Sequence, residues 1–214
     1  MHQIKLCQQT FYLHPFHAIY WEEQRMLLLA DLHLGKAAHF RKGGLPVPAT
    51  AGDDNWDRLQ ALLFDIKPAR VLFLGDLFHS EYNAVWEELG DLIQQFNAIS
   101  FELIPGNHDI LEDPYYTSAG LQLHPLTLAI PPFYFTHHPQ EETPEGLYNL
   151  CGHIHPSVKL RGGGRQSLRL PCFYFGEQQG ILPAFGAFTG TANIAVREGD
   201  RVFVIASNEV VEVS

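Results

Sequence analysis

Cysteine is scarce, and its scarcity removes the chemistries that depend on it. Cys7, Cys151 and Cys172 are the three in 214 residues, too few and too scattered for a disulfide framework or a Cys-rich zinc site. A reducing cytoplasm is the expected setting. Long apolar runs are also missing. The densest, Met26 to Ala30, stops at Asp31, well short of the ~20 residues that span a bilayer, so no membrane partner is expected. The opening Met1-His2-Gln3-Ile4-Lys5-Leu6 lacks the charged-then-apolar layout of a signal peptide. No repeat, low-complexity tract or linker divides the chain, which predicts a single domain over residues 1–214. Glycine-rich nucleotide cradles are absent, so no P-loop or dinucleotide fingerprint competes. Basic residues number 14 against 24 acidic, a net charge of −10 with neutral histidines. That balance excludes a polycationic DNA-coating protein. It leaves room for an enzyme acting on a phosphodiester, because two bound divalent ions would restore about +4 at one spot.

What is plentiful is aromatic and imidazole. Fifteen Phe, eight Tyr and three Trp supply a core, and twelve His sit repeatedly beside Asp, Asn and Gly. Met26 to Ala30 reads as a buried strand ending at a polar cluster. Asp53 to Ile66 predicts an amphipathic helix with Trp56, Leu59, Leu62 and Leu63 on one face. Val71 to Leu74 is a second buried strand and Tyr82 to Phe96 a second helix. Phe101 to Ile104 is a third strand, and this alternation predicts right-handed crossovers and parallel pairs. Beyond residue 120 the apolar segments are short: 126–130, 133–136, 147–151, 168–175, 201–206 and 210–213. They predict a second, more antiparallel sheet packed on the first. Gly162-Gly163-Gly164 between extended flanks predicts a hairpin turn.

Five polar clusters follow predicted strands: Asp31-Leu32-His33, Gly75-Asp76 with His79 close behind, Gly106-Asn107-His108-Asp109, Thr136-His137-His138, and Gly152-His153-Ile154-His155. All carry oxygen and nitrogen donors that suit Mn²⁺, Fe²⁺ or Zn²⁺. In open α/β sheets, functional groups gather beyond the carboxyl ends of strands, so the clusters have a geometric reason to converge. An i, i+2 pair leaving a strand sends both donors to one side, with Leu32 turned to the core. Glycines at 75, 106 and 152 allow close backbone approach. Two neighbouring dications need a shared carboxylate, and Asp76 is the candidate.

In this order the clusters resemble the signature of the calcineurin-like metallophosphoesterase superfamily: DxH, GD, GNHD, H and GHxH. The resemblance implies a mixed α/β, four-layer αββα sandwich of two mixed sheets flanked by helices, with two divalent ions at the strand ends. It implies one ion held by Asp31, His33 and His155, the other by Asn107, His137 and His153, and Asp76 bridging. His108 is implied as the group assisting the leaving oxygen, with Asp109 orienting its imidazole. Further segments are similar to the ligase-associated DNA-damage-response endonuclease branch: Ala30 to Lys36, Phe40-Arg41-Lys42, Leu45 to Pro48, Leu170 to Phe173, and Leu182 to Gly190. That likeness implies a DNA endonuclease of repair and functional association with a DNA ligase and a helicase; the expected cofactors are two divalent ions, Mn²⁺ ahead of Fe²⁺ or Zn²⁺.

The expected reaction is metal-assisted phosphodiester hydrolysis, with a small-molecule phosphodiesterase or phosphomonoesterase as the alternative. A non-catalytic scaffold is disfavoured because His108 and all seven ligand positions are intact. His138 either faces substrate or fills its loop. His79 either lies near substrate or supports a ligand from behind. Lys36, Arg41 and Lys42, with Lys159, Arg161, Arg165 and Arg169 around the glycine hairpin, are either a basic rim for substrate or ordinary solvated charge. Cys151 reads as a small buried side chain, and Phe173, Tyr174, Phe175, Phe185 and Phe188 as core of the second sheet rather than as base-stacking platforms.

Overall fold

Met26–Leu29 (β4) and Arg70–Leu74 (β5) carry apolar side chains on both faces, as strands covered on two sides must. Their alternation decides which core each residue joins. In a computed structural model that describes residues 1–36, 53–78, 84–162, 166–187 and 189–214, Leu27, Leu29, Val71 and Phe73 point to a helical layer. Met26, Leu28, Leu72 and Leu74 point to a second sheet. The helical layer holds α1 (Asp53–Ile66), with Leu59, Leu62 and Leu63 fully buried, and α2 (Ala84–Gln95), with Trp86, Leu89 and Leu92 buried. At roughly 1.5–3 kcal/mol for each large side chain taken from water, these stripes fix the helices on the sheet. A short α3 (Asp113–Ser118) adds Tyr116 to the same core. The expected helix over 82–96 is α2, and residues 82 and 83 lie outside the described residues.

The first sheet has seven strands in chain order. An antiparallel meander of β1 (His2–Leu6), β2 (Gln9–His14) and β3 (Ala18–Trp21) leads into β4. From there β4, β5, β6 (Ser100–Ile104) and β7 (Leu121–Leu123) run parallel. The second sheet is also mixed. It contains β8 (Thr127–Ile130), β9 (Phe133–Thr136), β10 (Tyr148–Cys151), β11 (Pro156–Arg161), β12 (Ser167–Phe175), β13 (Gln179–Ile181), β14 (Ala192–Asn193), β15 (Arg201–Ala206) and β16 (Glu209–Glu212). Within it β9, β10 and β13 are parallel, and the remaining pairs are antiparallel apart from β11 with β14. The glycine hairpin is present in its flanks: β11 and β12 pair antiparallel, and Gly162 N–H donates to Gln166 O. Phe173 and Phe175 bury into the core between the sheets, while Phe185 joins the helical side.

This is the expected mixed α/β architecture of two mixed sheets, but of the four expected layers the described residues show a helical layer on one side only. Among the described residues, the helices all lie on the first sheet. The outer face of the second carries a small cluster of Val158, Cys172, Val202 and Val204. Among the described residues no helix is long and apolar enough to cross a membrane.

Candidate metal centre

Five strands of the two sheets release the chain at one end of the sandwich, and each is followed by a polar cluster. Asp31 follows β4, Asp76 follows β5, Asn107 and His108 follow β6, His137 follows β9, and His153 follows β10. The reason the donors converge differs from simple strand alternation. Asp31, His33, Asp76, His153 and His155 all have positive φ, between 48° and 68°, a conformation that costs a residue with a side chain of order 1–3 kcal/mol. Parallel pairing continues through this strained stretch: Asp31 N–H donates to Gly75 O, His33 N–H to Asp76 O and Leu34 N–H to Leu77 O. Leu32 is fully buried in the helical core as expected. A segment without ligand chemistry braces the loop. Phe185 N–H donates to Ala30 O and Gly186 N–H to Asp31 O. The buried Asn55 accepts Ala187 N–H at 3.0 Å and reaches Leu32 O at 3.5 Å.

The donors form two overlapping groups. Asp31, His33 and His155 have ligand atoms within 4.8 Å of one another, and so do Asp31, Asp76 and His137. Asp76 lies between: Oδ2 is 3.8 Å from His33 Nε2, and Oδ1 is 3.6 Å from His137 Nε2. Around the second side, His137 Nε2 is 3.2 Å from both Asn107 Oδ1 and His153 Nδ1. His155 Nε2 is 3.6 Å from Asp31 Oδ1. Asp31, His33, Asp76 and His137 are buried, His153 and His155 half-buried and Asn107 exposed, so the centre has a closed floor and an open mouth.

This donor set fits divalent cations. Two buried carboxylates stand among imidazoles, an arrangement that is costly unless positive charge joins it. Asp31 Oδ1 is fully buried and accepts no hydrogen bond among the described residues. Backbone carbonyls set the imidazole tautomers: His137 Nδ1 donates to Leu74 O and His155 Nδ1 to Gly190 O, both at 2.9 Å. Each ring therefore keeps the Nε2 lone pair for a ligand, the usual arrangement behind metal-bound histidine. Close approach also leaves no room for side chains at three glycines of the site, Gly106 among them, where a methyl would strike Asp76. A methyl at Gly75 would strike the His137 ring, and one at Gly152 would strike the Asp31 carboxylate.

His108 is held by its backbone N–H, which donates to Asp76 Oδ1 at 2.9 Å, and its ring stands edge-on to His33 with centroids 5.3 Å apart. Asp109 accepts the backbone N–H groups of Gly106, Phe78 and Leu77 at 2.9, 3.1 and 3.3 Å, which ties the second and third clusters together. Burial pushes its carboxyl up to about 6 against the pull of those amides. The exposed His138 shares a ligand-distance triangle with His137 and His153, its ring centroid 4.1 Å from that of His153. Lys36 N–H donates to His33 O, and burial lowers its ammonium pKa while Asp76 and Asp31 pull it back. His79, Arg41 and Phe188 lie outside the described residues. Cys151 is fully buried with its Sγ 3.6 Å from Gly180 O, and burial drives its thiol pKa up.

The structure of Pseudomonas putida nuclease MPE superposes with a TM-score of 0.81 at 29% identity, covering 99% of this chain and 99% of that one. Yfce, a phosphoesterase from E. coli, gives a TM-score of 0.44 at 12% identity over 88% of this chain and 97% of that one. Among curated proteins no match is found. A family model for calcineurin-like phosphoesterase matches residues 24–179, which include every donor described above. The chain belongs to the calcineurin-like phosphoesterase family and is a metal-dependent hydrolase.

Proposed function

We propose that this phosphoesterase is a DNA endonuclease that works with two divalent ions, Mn²⁺ first among them. Asp31, His33 and His155 would hold one ion, Asn107, His137 and His153 the other, and Asp76 would touch both. The observation that carries this reading is the position of Asp76, whose two oxygens look toward His33 on one side and His137 on the other. The nuclease MPE, matched over nearly its whole length, supports nucleic acid as substrate.

When bound, two divalent ions lower the pKa of a water and neutralise charge on the phosphate oxygens. The chain supplies the rest. Asp31 and Asp76 keep the floor negative, while the carbonyls of Leu74 and Gly190 hold His137 and His155 in one tautomer. His108, partly exposed at the mouth, is placed to give a proton to the leaving oxygen. Asp109 acts as a positioning residue, because its carboxylate is occupied by three backbone amides that set the loop bearing His108. His138 and Lys36 stand at the edge where a substrate phosphate would arrive.

A small phosphodiester is the second reading, favoured by the net charge of −10. Assays with bis-p-nitrophenyl phosphate, p-nitrophenyl phosphate and plasmid DNA, with and without Mn²⁺, separate the two. Nicking of plasmid DNA only with metal supports the endonuclease. Hydrolysis of the small esters with plasmid left intact rejects it. In the setting that the branch resemblance implies, the enzyme would work in the cytoplasm beside a DNA ligase and a helicase. Three free thiols suit that compartment.

A further inference from the structure

A two-stranded ribbon extends past the mouth of the metal centre. β10 and β13 end side by side, Cys151 next to Ile181, and β12 runs the opposite way with Tyr174 beside Ile181. Residues Ser167 to Pro171 therefore project beyond the strand ends, paired with β11. β11 itself begins at Pro156, the residue after His155. The ribbon has two unlike faces. Val158, Leu160 and Leu170 pack with Cys172, Val202 and Val204, which anchors the back.

The front face leads from the metal centre outward. Phe173 and Phe175 on this side of β12 enter the core between the sheets, so beyond the strand ends the same side turns toward the loops of the first sheet. Pro171 lines a cavity of about 200 Å³ together with His155. Two residues further comes Arg169, directly opposite Lys159, and then Arg161 opposite Ser167. At about 3.3 Å per residue, these levels lie roughly 7 and 13 Å beyond Pro171.

All three cations are exposed. Two other arginines are neutralised, Arg70 by Glu102 and Arg201 by Glu212. Among the described residues, by contrast, no carboxylate lies within 4.0 Å of Lys159, Arg161 or Arg169. Like charges directly opposite on paired strands weaken the pairing. A protein of net charge −10 that gathers such a ladder beside its metal centre creates a local positive field suited to a polyanion.

We propose that the cationic face of β11 and β12 is a docking surface for the phosphate backbone of a DNA strand, gripping it beyond the phosphodiester at the metal centre. The proposal rests on the phosphodiesterase reading and deepens it: a polymer reaches the ribbon, and a small ester does not.

The test uses the full chain loaded with Mn²⁺ and a fluorescent single-stranded oligonucleotide with a phosphorothioate backbone, titrated by anisotropy at several NaCl concentrations. Each lost phosphate contact should reduce the slope of log K against log[salt] by about 0.7 for a single strand. The triple variant Lys159→Ser, Arg161→Ser, Arg169→Ser should bind at least tenfold more weakly at low salt, with a slope shallower by about 2. The charge-keeping variant Lys159→Arg, Arg161→Lys, Arg169→Lys should restore the wild-type slope. Unchanged affinity and slope in the serine variant overturn the proposal. Hydrolysis of bis-p-nitrophenyl phosphate by the wild-type enzyme distinguishes the two failures. If it occurs while the serine variant binds normally, the docking surface is wrong and the phosphodiesterase stands. If neither this ester nor DNA is cut while ribbon-dependent binding is seen, the activity is wrong and the docking surface stands.

Discussion

Asp31 Oδ2 accepts the backbone N–H of His153 at 2.8 Å across 122 positions of the chain, so one carboxylate fastens the loop of the first sheet to that of the second. Its other oxygen has no such partner among the described residues and lies 3.6 Å from His155 Nε2. Asp31 thus joins the two sheets with one oxygen, and in the proposed centre the other would face a cation.

These two jobs separate in Asp31→Asn. The amide oxygen can still accept from His153, while the buried charge is gone. Without metal the variant should melt at or above the wild-type temperature, because an uncompensated buried carboxylate has been removed. Added Mn²⁺ should raise the wild-type melting temperature by binding the folded state, and should raise that of the variant far less. Equal stabilisation of both proteins by Mn²⁺ would show that Asp31 is not a ligand.

Removing the imidazole at 108 tests a different job. His108 is held through its backbone N–H to Asp76, so His108→Ala leaves that tie and the donor set in place. Turnover should fall by ~10²–10⁴-fold, the usual cost of losing a general acid, with the metal content by elemental analysis unchanged. Loss of metal in step with activity contradicts the assigned role.

Crowding at Gly152 makes a third expectation. The added methyl of Gly152→Ala would lie against Asp31 and the Ala30 side chain, both on a strand end that is pinned from two sides. Calorimetric titration should show Mn²⁺ affinity at least tenfold weaker. Wild-type affinity would mean that the loops yield easily and that close approach at Gly152 does not govern the site.

Two histidines outside the centre set a pH dependence of stability. Burial lowers His14 and His17 to about 4 from an ordinary 6.5. His14 Nδ1 accepts Phe16 N–H at 3.0 Å, and His17 Nδ1 lies 2.6 Å from Ala184 O. Since the folded state prefers both rings neutral, their contribution is complete above pH 6.5 and is lost as pH falls toward 4. The double variant His14→Gln, His17→Asn should lose less melting temperature than wild type across that window. Parallel pH profiles for the two proteins would refute it.

Much of the fold and the candidate site was legible because buried parallel strands and metal donors both leave dense signals. Met26–Leu29 and Arg70–Leu74 are uninterrupted apolar runs, and Asp53–Ile66 carries its helical stripe openly. The N-terminal meander was not legible. His2–Leu6 and Gln9–His14 mix polar and apolar residues, and their partners are fixed by pairing registers such as Leu6 with Gln9 that no motif announces. The braces of the site were equally hidden. Leu74 O and Gly190 O act through main-chain atoms that any residue carries, and Asn55 looks like one more polar residue on a helix. The positive φ at five of the donors left no trace either, because Asp and His reveal nothing of their backbone. The cationic ribbon was half visible: the charges stood in the sequence, but only the register of β11 on β12 puts Lys159 opposite Arg169.

The central claim is that Asp76 sits between two cations, and anomalous diffraction from crystals soaked in Mn²⁺ tests it directly. Two peaks should appear, one beside Asp31, His33 and His155 and one beside Asn107, His137 and His153, each within bonding distance of an Asp76 oxygen. A single peak, or a pair that leaves Asp76 untouched, would contradict the account.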